Sequence, residues 1–172
     1  VRSTPGAGST FSVRLYLREL SAAGLASLPS PPRHRPISGY AGPRRTLLVV
    51  DDQPIQRQMI AGLLAPLGFA IREAASAREC LESVREVRPD AILLDVSMDD
   101  LDGWQAARMV RESGFTDLPI VMVSADLFEN RPENLANAQA QAFVAKPVIE
   151  SELLDALGRH LEIEWITDLT VE

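Results

Sequence analysis

The chain has 172 residues, 46% of them hydrophobic and 24% charged, with a formal net charge of −7. That suffices for one domain with a real core plus extra segments, in the composition range of ordinary globular proteins. No apolar run approaches the roughly 18 residues that span a bilayer, no basic-then-apolar leader is visible at the N-terminus, and the single cysteine, Cys80, excludes an internal disulfide framework or a cysteine-cluster zinc site.

A reducing, cytoplasmic setting without membrane contact by this segment is therefore expected. Charge is uneven along the chain. Residues 1–45 carry seven arginines and one acid, Glu19, or +6, whereas the remainder carries ten basic and 23 acidic residues, or −13. The acidic part argues against nucleic acid as a direct partner, because phosphate binding relies on basic surface.

In chain order, "GAGSTFSVRLYL" (6–17) comes first. Gly6, Gly8, Ser9 and Thr10 make a short small-residue loop before an alternating, strand-like run. Such loops approach phosphates closely, because they lack bulky side chains and expose backbone N–H groups. The next stretch, 21–45, is dense in Pro, Ser, Gly and Arg with almost no apolar periodicity, and reads as a linker.

From residue 46 apolar runs alternate with amphipathic segments. "TLLVV" (46–50) precedes a helix over 54–68, "FAIREA" (69–74) a helix over 76–87, and "AILLDV" (91–96) a helix over 103–114. "PIVMVSA" (119–125) precedes a weaker helix, roughly 127–140, and "AFVAK" (142–146) a helix over 150–162. Short β-branched runs without polar alternation are strands buried on both faces. Alternation with helices implies an α/β fold: a parallel five-stranded sheet with helices on both sides, joined by right-handed crossovers. Pro54 suits the first turn of a helix, Ser76 is a candidate cap, and Pro66 and Pro132 should end or kink a helix.

Four of the five strands end in polar residues: Asp51 and Asp52, Asp95, Ser124, and Lys146. In a parallel sheet these ends share one edge, where open α/β sheets bind ligands. Three carboxylates, a hydroxyl and an ammonium are thus expected in one pocket. Clustered carboxylates repel and raise one another's pKa unless a cation intervenes; carboxylates with retained waters suit Mg²⁺. A carboxylate beside Mg²⁺ can act as nucleophile toward a phosphoryl group, with Lys146 and Ser124 stabilising the phosphoryl oxygens. Lys146 is the only lysine among 17 basic residues. Either arginine-biased composition spared one lysine, or the site needs a compact point charge that a planar guanidinium cannot replace.

"LLVVDDQP", "AILLDVSMDDLDGW", "PIVMVSA" and "FVAKP" resemble the receiver domain of two-component response regulators, over about residues 45–163. The resemblance implies a flavodoxin-like (βα)5 three-layer sandwich with strand order 2-1-3-4-5. It implies Asp95 as phospho-acceptor, and Mg²⁺ held by Asp51, Asp52, Asp95 and the main-chain carbonyl of Ser97. Ser124 and Phe143 would be the switch residues, Lys146 the counter-charge, and Lys146–Pro147 a cis peptide bond. Two features depart from the pattern: Asp99 stands where a proline is common, and Phe143 cannot hydrogen-bond.

"GAGSTFSVRLYL" resembles the last glycine box and final strand of the ATP-binding domain of sensor histidine kinases, which would make residues 1–20 a remnant of that domain. The order kinase remnant (1–20), linker (21–45), receiver (46–163) and tail (164–172) is that of a hybrid histidine kinase. The implied partner is a histidine-kinase dimerisation domain or a histidine phosphotransfer domain. Most of the ATP site is absent, and His34 and His160 read as exposed bystanders, so this segment is not a complete kinase. A phosphohydrolase would want an acid at position 97, where Ser97 stands. A flavin-binding protein would not place "DDQP" after its first strand. A pseudo-receiver that only docks is the remaining alternative, although it would have no need of the acids and lysine kept here.

Overall fold

The computed structural model describes residues 2–4, 6, 8–10, 12–14, 36–99 and 101–167. The chain divides into two compact units, 1–34 and 35–172. In the first, β1 (Arg2–Thr4) and β2 (Gly8–Thr10) pair antiparallel, with Thr4 opposite Gly8. Gly6, at φ +78°, occupies the turn between them, a conformation that side chains with a Cβ disfavour. Gly8, Ser9 and Thr10, expected in a loop, therefore lie in a strand. Most of the expected linker, through residue 35, lies outside the described residues, as do His34 and the tail from 168.

In the second unit β4 (Thr46–Val50), β5 (Ala70–Ala74), β6 (Ala91–Asp95), β7 (Ile120–Ser124) and β8 (Ala142–Ala145) form one sheet in the order β5-β4-β6-β7-β8, parallel throughout. This is the 2-1-3-4-5 order expected of a flavodoxin-like sandwich. The strands' side-chain period of two splits their apolar residues between two cores. Leu48, Val50, Ile92, Leu94, Ile120 and Met122 face α2 (Ala77–Glu86), α3 (Gly103–Glu112) and α4 (Pro132–Ala138). Leu47, Val49, Leu93, Val121 and Val144 face α1 (Pro54–Leu64) and α5 (Glu150–Leu161). Each fully buried Leu or Ile contributes about 2 kcal/mol of transfer free energy, so the two cores dominate the stability.

Local signals set the helix ends. Pro54 opens α1, and Pro66 diverts the chain into a 3-10 turn, Ala65–Leu67, closed by Gly68 at φ +104°. Ser76 caps α2 by accepting the Glu79 N–H at 3.2 Å, while the Glu79 carboxylate accepts the Ala75 N–H at 2.7 Å. Asp102 caps α3 through the Gln105 N–H at 2.7 Å. The fourth helix is shorter than expected. Leu127–Glu129 is a 3-10 turn, Arg131 is extended, and α4 begins only at Pro132, whose ring disfavours a helical residue before it.

The flanks differ from expectation. Residues 37–40, read as linker, form β3 (Ile37–Tyr40), and residues 165–167, read as tail, form β9 (Trp165–Thr167). The two pair antiparallel, with Ile37 opposite Thr167. Aromatic packing drives this: Tyr40 and Phe69 have ring centroids 4.5 Å apart, and Trp165 meets both edge-on at 6.2 Å. Tyr40, Ile37 and Trp165 thereby extend the α1–α5 core. No described helix is long and apolar enough to cross a membrane.

Candidate functional site

The carboxyl edge of the sheet gathers the predicted residues. Asp51 follows β4 and is 1% exposed; Asp95 ends β6 and is 2% exposed; Ser124 ends β7 and is fully buried. Carboxylate oxygens of Asp51, Asp52 and Asp95 all lie within 4.8 Å of one another. At that spacing two unit charges repel by roughly 3 kcal/mol at an effective dielectric near 20. One ammonium offsets part of this. Lys146 Nζ donates to Asp51 Oδ2 at 2.8 Å and lies 3.0 Å from Asp95 Oδ1. The ion pair with Asp95 lacks hydrogen-bond alignment, and both Asp95 oxygens, like Asp52 Oδ1, are buried without a hydrogen bond.

The backbone at the first turn is pinned. Asp51 Oδ1 accepts the Gln53 N–H at 2.8 Å, and Arg57 donates to the Asp51 and Asp52 carbonyls at 2.6 and 3.3 Å while pairing with Glu73 at 2.9 Å. Asp52 Oδ2 accepts the Asp99 N–H at 3.1 Å. Ser124 Oγ accepts the Asp126 N–H at 3.1 Å, and its carbonyl accepts the Lys146 N–H at 2.8 Å. The Lys146–Pro147 bond is cis. Phe143 is half-buried against the α2–α4 core. A cavity of about 510 Å³ opens over Asp95, Ser97 and Lys146, walled by Gln56, Met59 and Pro147.

Burial pushes the Asp95 carboxyl above the ordinary aspartate value, and the nearby Lys146 charge offsets this only in part. Burial acts to lower the Lys146 pKa, but its contacts with Asp51 and Asp95 outweigh it and leave the ammonium above the ordinary lysine value. Lys146 is therefore charged at neutral pH. Three acids against one ammonium leave a surplus of carboxyl groups, with Asp95 Oδ2 and Asp52 Oδ1 buried and without a partner. Such oxygens cost about 1–3 kcal/mol each unless something binds them. A hard divalent cation with oxygen ligands fits that donor set.

Sequence reasoning missed two supporting residues. A Cβ on Gly103 would collide with the main-chain carbonyl of Asp95, so only glycine lets the start of α3 close under the site. Its signal was the Asp-Gly pair where a helix was expected to begin. Arg57, within the helix expected over 54–68 but not singled out there, clamps the turn that carries both acids. Gly6 and the residues of β2 belong to the other compact unit, 1–34.

A family model described as the response regulator receiver domain matches residues 47–158. The chain belongs to this family. The chain is 30% identical over 151 residues to the sensor histidine kinase RcsC of Salmonella typhi, a match covering 87% of this chain and 15% of that protein. It is 38% identical over 109 residues to the response regulator MprA of Mycolicibacterium vanbaalenii, covering 63% of this chain and 46% of that one. The chain thus spans about 15% of the length of the first relative and just under half of the second. A putative response regulator from Chloroflexus aurantiacus superposes with a TM-score of 0.65 at 30% identity, covering 70% of this chain and 99% of that one.

Proposed function

We propose that this receiver accepts a phosphoryl group from a phosphohistidine onto Asp95, with Mg²⁺ held by Asp51, Asp52, Asp95 and the Ser97 carbonyl. The observation that carries the reading is Asp95 itself: a buried carboxylate with Oδ1 ion-paired to Lys146 at 3.0 Å and Oδ2 without a partner, beside two further acids. When bound, Mg²⁺ supplies positive charge that offsets the charge of the phosphoryl oxygens. An Asp95 oxygen attacks phosphorus, the new O–P bond forms as the N–P bond to the donor breaks, and the imidazole leaves with the bonding pair. Lys146 neutralises the charge carried over to the site, and Ser124 offers its hydroxyl hydrogen to a phosphoryl oxygen. Phe143, unable to hydrogen-bond, follows by packing alone.

The donor histidine belongs to a dimerisation or phosphotransfer domain. Met59, 58% exposed and lining the cavity, and Ile55, one turn before it on α1 and 69% exposed, offer apolar surface on which a helical partner would dock. The parent protein is a hybrid histidine kinase, of which residues 1–20 are the last part of the ATP-binding domain. In support, the match to the sensor kinase covers 87% of the chain, more than the receiver segment alone supplies.

Intact mass after incubation with acetyl phosphate tests this. A single Mg²⁺-dependent phosphoryl adduct, absent in Asp95→Asn, is the expected result. Absence of any adduct together with absence of Mg²⁺ binding would identify a docking module instead.

A further inference from the structure

Asp52 is held differently from its neighbour Asp51. Its Oδ2 accepts the main-chain N–H of Asp99 at 3.1 Å, a bond that crosses from the loop after β6 to the turn after β4. Its Oδ1 is buried with no hydrogen bond and is free to serve the cluster formed with Asp51 and Asp95. A carboxylate turns easily about its last side-chain torsion, which has only a broad two-fold preference. A donor fixed in the backbone removes that freedom. A proline in this position would have no N–H to give.

We infer that Asp99 is a positioning residue for the divalent cation: its main-chain N–H locks Asp52 with Oδ1 presented to the metal, and ties the loop after β6 to the cation site. This rests on the Mg²⁺ reading above. The amide, and not the Asp99 carboxylate, does the positioning, because the side chain is exposed and faces solvent screening. Outer partners that orient a metal ligand typically change metal affinity by about 10- to 100-fold when lost.

The test is calorimetric titration of Mg²⁺ into the native chain, Asp99→Pro and Asp99→Asn, with circular dichroism melts in EDTA beside it. Asp99→Pro, lacking the N–H, should bind Mg²⁺ about tenfold more weakly. Asp99→Asn keeps the N–H and should stay within about threefold of the native chain, the loss of one screened charge. Equal binding by Asp99→Pro and the native chain overturns the inference, as does an equal loss in both variants. Failure of the native chain itself to bind Mg²⁺ removes the cation reading and this inference together. If Asp99→Pro does not fold, amide exchange on the native chain decides: the Asp99 N–H should be protected without metal, and at least about tenfold less protected in Asp52→Ala. An unprotected Asp99 amide overturns the inference.

Discussion

The indole N–H of Trp104, in the first turn of α3, donates to Glu129 Oε2 at 2.9 Å, on the turn that follows Ser124. Asn134 of α4 donates to the same carboxylate at 3.3 Å and to the Glu129 carbonyl at 3.0 Å. One glutamate thereby latches the segment after β7 to the helix that starts beneath Asp95. Glu129→Ala should cost about 1 kcal/mol of stability. It should also raise amide exchange across 125–131. In a Trp165→Phe background, emission from Trp104 reports the same bond, and unchanged emission and exchange would show that the latch does not restrain the turn.

Lys146 touches two carboxylates as a point charge, at 2.8 and 3.0 Å, from a side chain only 16% exposed. A guanidinium is planar and bulkier, and its fork does not fit between acids on two different strands. Lys146→Arg should therefore slow Asp95 phosphorylation by acetyl phosphate at least about tenfold while leaving the fold intact by circular dichroism. A native rate in the arginine variant would assign the lone lysine to composition rather than chemistry.

The raised pKa of Asp95 has a thermodynamic sign. The folded chain holds that proton more tightly than the unfolded chain, so in EDTA stability falls as pH climbs from the ordinary aspartate value through the raised one. Asp95→Asn removes the buried charge. Thermal melts in EDTA at pH 7 should place this variant above the native chain. The gap should close on acidification below the ordinary carboxylate pKa, where both chains are neutral at 95. Lys146 contributes with the same pH sign in a higher window: its stabilisation is complete below the ordinary lysine pKa and fades as pH rises through the raised value.

Trp165 lies against Gly158 of α5 so closely that a Cβ there would come within 2.7 Å of the indole Nε1. Gly158→Ala should displace Trp165 and destabilise by about 1–3 kcal/mol, even though alanine ordinarily favours a helix. A chain cut to 46–163, which removes β3 and β9, should melt below one spanning 36–167. Equal melting temperatures would reduce the two strands to decoration.

The sheet and its site were legible because four of the five strands carry an unbroken apolar run with a functional residue at its end or directly after it. β6 places Asp95 directly after Ala91–Leu94, and β7 places Ser124 directly after Ile120–Val123. The pair β3–β9 was not legible. Its strands are 4 and 3 residues long, lie over a hundred positions apart, and contain Gly39 and Ser38, poor strand formers. What holds them is a tertiary contact, Tyr40 and Trp165 on Phe69, with no local pattern to announce it. The short α4 escaped for a related reason: its apolar content is weak, and Pro132 sets its start more firmly than its periodicity does.

The pairing of Ile37 with Thr167 brings the two segments that flank the receiver side by side. Chain ends that lie this close suit circular permutation and insertion into a host loop. A covalent bridge of a few residues from 167 to 36, with new ends opened in an exposed loop, should give a chain with the same sheet. In its natural setting such a module behaves like a bead on a closed clasp. Segments on either side can be exchanged or lengthened without dragging on the sheet edge where Asp95 sits.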